Sequence, residues 1–211
     1  MRTKFPILST GAIATLLCSG CISFKQAQTV AIIHGPLPSA GTQDRGTIQV
    51  RRFRDGRKDE DKPYVGEMRG PAYTPTGRFF VTKDGGSLSE LLTESFSDAL
   101  KAAGYRVSVS PNEVSTTQRA EAVLEGEIKK FWLTPAWNTR QEISVQSTLR
   151  AKDGKDPLWE KEVEGQHGKF VGYPNAPEYE EVIQEALDKT LAQAVKEFSS
   201  DAFQRKVKGS K

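Results

Sequence analysis

Residues 122–133 constrain the fold more than any other stretch. Ala122, Leu124, Gly126 and Ile128 alternate with Glu125, Glu127 and Lys129, and Pro135 closes the run. Side chains alternate faces along a strand, so this segment has one apolar and one charged face. The next run repeats the pattern: Ile143, Val145, Ser147 and Leu149 against Glu142, Ser144, Gln146 and Thr148. Two adjoining strands with one wet face call for an antiparallel sheet covered on one side only. Gly154 lies in the connection to a further strand near 158–165, so these strands are expected to pair as a hairpin.

Two amphipathic helices supply the cover. Ser87 opens the first, with Glu90 three residues on as a capping box. Leu88, Leu92, Phe96, Ala99 and Ala103 recur at helical spacing, and Gly104 ends the run. The second reads as one continuous helix over 178–206. Asn175 is its cap, and its apolar stripe runs from Tyr179 through Leu191 to Phe198 and Ala202. Glu178, Glu180 and Glu181 at its start and Arg205, Lys206 and Lys208 at its end suit the helix dipole. At 1.5 Å per residue it would run about 43 Å, longer than a small sheet needs. One end is expected to overhang, with Phe198, Ala202, Phe203 and Lys206 as a surface for a partner, a second copy or anionic lipid.

Shorter strands are expected at 29–33, 47–53, 78–83 and 105–110, with a long loop over 54–77. The expected fold class is α+β: a two-layer sandwich of a mostly antiparallel sheet with two helices on one face.

The N-terminus reads as an address. Arg2 and Lys4 precede an apolar stretch over 5–17, broken by Pro6 and Gly11, and Ser19 and Gly20 lead into Cys21. The run is too interrupted for a spanning helix, which takes ~20 apolar residues. Cys18-Ser19-Gly20-Cys21 resembles the lipobox of bacterial lipoproteins, with Cys18 where Leu is usual. The resemblance implies cleavage before Cys21 and its acylation, with labelled palmitate as the direct test. Cys18 would leave with residues 1–20, and so would Arg2 and Lys4, taking the formal charge from +3 to +1. The mature chain would have no disulfide and no free thiol. Ile22 rather than Asp after the Cys resembles the pattern of lipoproteins sent to the periplasmic face of the outer membrane, the inner membrane being the other destination. The expected organisation is a signal over 1–20, an acylated Cys and tether over 21–46, and one domain over 47–211.

A strand ending near Asp55-Gly56-Arg57, a Leu-rich helix over 88–103, then Ala103-Gly104-Tyr105-Arg106-Val107, the strand at 122–131 and the Gly154 hairpin resemble the YajG-like bacterial lipoproteins. The insert over 58–76 is longer than that family's pattern. The resemblance implies an envelope protein without catalytic residues to carry over. The fold is also similar to that of auxiliary lipoproteins of ABC-type lipid or solute transport systems, which gives the alternative role.

Chemistry-bearing residues are few. Arg51, Arg52, Arg54 and Arg57 cluster near a strand end and read two ways. One is an anion site for phosphates or an acidic partner; the other is a charged edge that blocks unwanted strand pairing, neutralised by Asp55, Asp59, Glu60 and Asp61. The acidic triplet lacks the alternating ligands and Gly of a Ca²⁺ loop. His34 and His167 have no ligand or catalytic partner in sequence, and neither a nucleophile elbow nor a phosphate loop occurs. No metal, no cofactor and no enzymatic activity are expected, and the small net charge argues against nucleic acid. Phe131, Trp132 and Trp137 bracket Pro135 and are expected to cap the sheet end against the long helix.

Overall fold

The computed structural model describes residues 26–30, 32, 37, 44–62, 64–69, 75–81, 87–110, 120–152, 154–171 and 176–209. The proposed signal, Cys21, His34, Asn175 and the turn at 84–86 lie outside them. Among the described residues the order is β1 (Gln26–Val30), β2 (Thr47–Arg51), β3 (Arg54–Asp55), β4 (Gly66–Arg69), β5 (Pro75–Val81), α1 (Leu88–Ala102), β6 (Arg106–Ser110), β7 (Ala122–Thr134), β8 (Asn138–Ala151), β9 (Pro157–Phe170), α2 (Ala176–Phe198) and α3 (Asp201–Lys208).

The α+β class holds, but the sheet is mixed rather than mostly antiparallel. The expected meander β7–β8–β9 is antiparallel throughout. The other edge of β7 is shared in succession by β2, β3 and β4, all parallel to it. β6 pairs in parallel with β2, while β5 pairs antiparallel with β4 and parallel with β1. The sheet branches at β7: β9 and β1, at the ends of the path β9-β8-β7-β4-β5-β1, both meet α2, while β6 is a third edge beside α1. The sheet therefore curls about that helix instead of lying flat beneath a helical layer.

The buried face follows the alternation. Ala122, Leu124, Ile128, Ile143, Val145 and Leu149 are buried, and Phe96, Leu100, Ile183, Leu187 and Leu191 close over them. A bulge between Ile128 and Lys130 turns the apolar residues Phe131 and Leu133 inward after it. Ser87 caps α1 as expected: its Oγ accepts from Glu90 N (3.2 Å) and Glu90 Oε2 accepts from Ser87 N (2.9 Å). Gly104 takes a left-handed φ of 93° just past the helix, open to glycine at little cost.

Three expectations are corrected. The stretch at 54–77 is not one long loop, because β3 and β4 dock on β7 within it. The segment assigned to the tether contributes an edge strand, and Val30 and Ile32 are buried in the core. The C-terminal helix does not run straight or overhang. It breaks at Ser199–Ser200, where Ser200 Oγ accepts from Phe203 N at 3.3 Å and starts α3. The corner folds α3 back so that Phe198 and Phe203 stand 5.1 Å apart, both fully buried, with Trp159 4.9 Å from Phe203.

Candidate functional site

Where β2 and β3 run beside β7, the polar face of the sheet forms an open groove of about 530 Å³. The alternation that buries Leu124 and Ile128 points Glu125 and Glu127 the other way, and β8 adds Gln146, Thr148 and Arg150 beside them. Glu125 and Glu127 each sit between two cations. Glu125 accepts from Arg51 and, at 3.0 Å, from Arg150 Nε. Glu127 accepts from Arg54 Nη2 at 2.7 Å and pairs with Lys129 Nζ at 2.8 Å. The ammonium of Lys129, then the guanidinium of Arg54, hold the Glu127 carboxyl below its ordinary range.

The four arginines separate into two kinds. Arg51, Arg52 and Arg54 line the groove. Arg52 donates from Nη2 to Ser87 Oγ at 2.9 Å and pairs with Glu90 at 2.8 Å, tying the end of β2 to the first turn of α1. Arg54 keeps 76% of its side chain exposed, so its remaining N–H groups face solvent. Arg57 is different. Its guanidinium is buried and bidentate on Asp55, at 3.0 and 2.8 Å. It also donates to the carbonyls of Lys62 (2.9 Å), Tyr64 (2.6 Å) and Phe131 (3.2 Å). Every direction of the fork is occupied by protein, so Arg57 is a structural staple and not part of an anion site.

The helix-end surface is also redistributed. Phe198 and Phe203 belong to the core, while Ala202 and Lys206 are exposed. Around Pro135, Phe131 is buried and Trp132 is half-buried, but Trp137 does not cap the sheet against a helix and is 74% exposed. On the helix-facing side Lys189 Nζ lies 2.9 Å from His167 Nδ1, the ammonium donating and the ring nitrogen accepting. Among the described residues, no group of three His, Cys, Asp or Glu is placed to hold a metal ion.

Arg150 is not among the candidates the sequence offers, and Gln146 and Thr148 are read there only as the polar face of a strand. The signal was present: Arg150 follows Thr148 and Gln146 on the polar alternation, in register with Val123 of the adjoining strand. Chemically the groove offers guanidinium N–H donors at its rim over a floor of ion pairs. That suits recognition of an anionic or zwitterionic group. Of its three carboxylates, Glu125 and Glu127 are committed to cations, and Glu160 accepts from Thr148 Oγ1 at 3.5 Å.

No family model and no curated protein matches the sequence. Among solved structures the chain is similar to protein XCC0632 from Xanthomonas campestris, assigned to the family model DUF330. The TM-score is 0.57 at 11% identity, over 80% of this chain and 92% of that one. It is similar more loosely to lipoprotein GNA1162 from Neisseria meningitidis, with a TM-score of 0.40 at 12% identity, over 65% and 92%. The first likeness shows a shared fold. Among the described residues no helix is long and apolar enough to cross a membrane.

Proposed function

We propose that this protein is an acylated lipoprotein of the bacterial envelope, anchored through Cys21 to the periplasmic face of the outer membrane. Its domain is a non-catalytic binding or scaffolding module, the role implied by the resemblance to YajG-like lipoproteins. The observation that carries this reading is the lipobox-like run at 18–21, only five residues ahead of the first strand at Gln26. An anchor there leads directly into the folded sheet. The groove supports a binding role: Arg51, Arg52 and Arg54 are its contacts for an acidic partner, and their paired glutamates hold them in place.

Crosslinking the acylated protein in cells, with mass spectrometry of what is captured, tests this. Recovery of envelope proteins whose contacts map to the groove supports the binding role. Recovery of a permease, an ATPase or a lipid carrier would replace it with the alternative, an auxiliary subunit of an ABC-type lipid or solute transport complex. Turnover of a substrate, lost on a single polar substitution, would contradict both.

A further inference from the structure

Among the described residues three large apolar side chains are exposed, and two of them stand together. Trp137 is 74% and Phe170 68% exposed. Their rings stack, with centroids 6.2 Å apart and planes inclined by 28°. The backbone holds them in place: Val171 N donates to the Trp137 carbonyl at 2.9 Å, and Phe170 is in register with Asn138. The third, Val109, pairs with Val50 level with Leu124, at the opposite end of β7.

The strand registers bring the start of the folded chain to the same end of the sheet as this pair. Gln26 is level with Gly77, Gly77 with Met68, and Gly66 with Leu133. β4 runs parallel to β7, so Met68 and Gln26 fall just past Leu133, beside the turn that carries Trp137. Three strand spacings of ~4.8 Å separate β1 from β7, about 14 Å. Cys21 precedes Gln26 by five residues, a reach of at most about 18 Å. An acyl anchor at Cys21 therefore holds this end of the sheet close to the bilayer.

We propose that Trp137 and Phe170 dock into the interfacial layer of the membrane that carries the Cys21 anchor. The inference rests on the reading of Cys21 as acylated. Indole is suited to the headgroup level, with an apolar ring and one N–H donor. Docking at this end points the arginine groove and α3 away from the anchoring membrane. Glu125 lies roughly 23 Å along β7 from Leu133, and α3 packs on Trp159, level with Leu149 and Leu124.

The test uses the full acylated protein in vesicles of phosphatidylethanolamine and phosphatidylglycerol, with and without acyl chains brominated near the headgroup. Native protein and Trp137→Phe are compared by tryptophan emission, and the mass of the N-terminal peptide is measured on the same samples. Bromolipid is expected to quench the native protein, and Trp137→Phe to lose the quenched component. Equal quenching in both, on protein whose N-terminus is acylated, overturns docking and leaves the anchor standing. Shielding of Trp137 from both bromolipid and aqueous iodide, rising with protein concentration, overturns it in favour of a second copy. An unmodified Cys21 overturns the anchor and the docking with it.

Discussion

The Arg57 guanidinium gathers its own loop, through Asp55, Lys62 and Tyr64, and ties it to the distant β7 carbonyl of Phe131. A buried cation is stable only where its charge and all its donors are matched. Arg57→Ala is expected to destabilise the domain by about 3–5 kcal/mol in urea unfolding, since it leaves Asp55 and three carbonyls unmatched. Arg57→Lys should recover little, because an ammonium cannot reproduce the planar fork. Tyr105 gives a second test at this scale. Its phenol is buried, donates to the Phe198 carbonyl at 3.2 Å, and is pushed up to about 12, chiefly by desolvation. A raised value means that its contribution is complete below the ordinary value of 10.0 and is lost as pH rises through about 12. An alkaline unfolding step in that window, coincident with phenolate absorbance, is expected for the native protein. Tyr105→Phe should remove its share of the phenolate absorbance, leaving that of Tyr179, whose phenol burial also pushes up.

At the scale of elements, the seam between β9 and α2 depends on a missing side chain. A Cβ on Gly165 would meet Thr190 Oγ1 and lie 2.6 Å from the Ala186 carbonyl. Gly165→Val is expected to push the helix from the strand and cost about 1–3 kcal/mol or more, read as a fall in Tm with α2 amides losing hydrogen-exchange protection. Phe203→Ala should cost about 3–5 kcal/mol, which places α3 within the cooperative core. Some of this architecture was legible in the sequence. The shift of apolar residues from Ile128 to Phe131 marks the bulge, and Ser87 with Glu90 marks the start of α1. The corner at Ser199–Ser200 was harder to see, because Phe198, Ala202 and Phe203 also fit one straight stripe. The Ser200 cap permits the corner, and packing against Trp159 and Tyr105 selects the bent form. β3 and β4 are two and four residues long, with no period of their own, and are held by Arg57 and by β7.

For the whole molecule, alternation identifies which side chains are buried but not which strand lies alongside or in which direction. The polar face at Glu125 and Glu127 was therefore predictable, whereas the succession of β2, β3 and β4 along one edge of β7 was not. The groove needed both kinds of information. Its acids are read from β7, but its cations come from β2, β3 and β8 and meet only in the folded sheet. Sequence and fold combine again in the proposed orientation: the residues ahead of β1 carry the proposed anchor, and the registers give the end of the sheet it would serve. The arginine groove would then face the periplasm, open to a soluble or membrane-borne partner.

Acylation at Cys21 can be read from the mass of the N-terminal tryptic peptide of protein purified out of native membranes. The expected result is a peptide spanning residues 21–25 that carries a diacylglyceryl thioether and an acylated amine, with both lost in Cys21→Ala. A peptide that retains residues ahead of Cys21, or one that begins at Cys21 with an unmodified thiol, would contradict the lipoprotein reading.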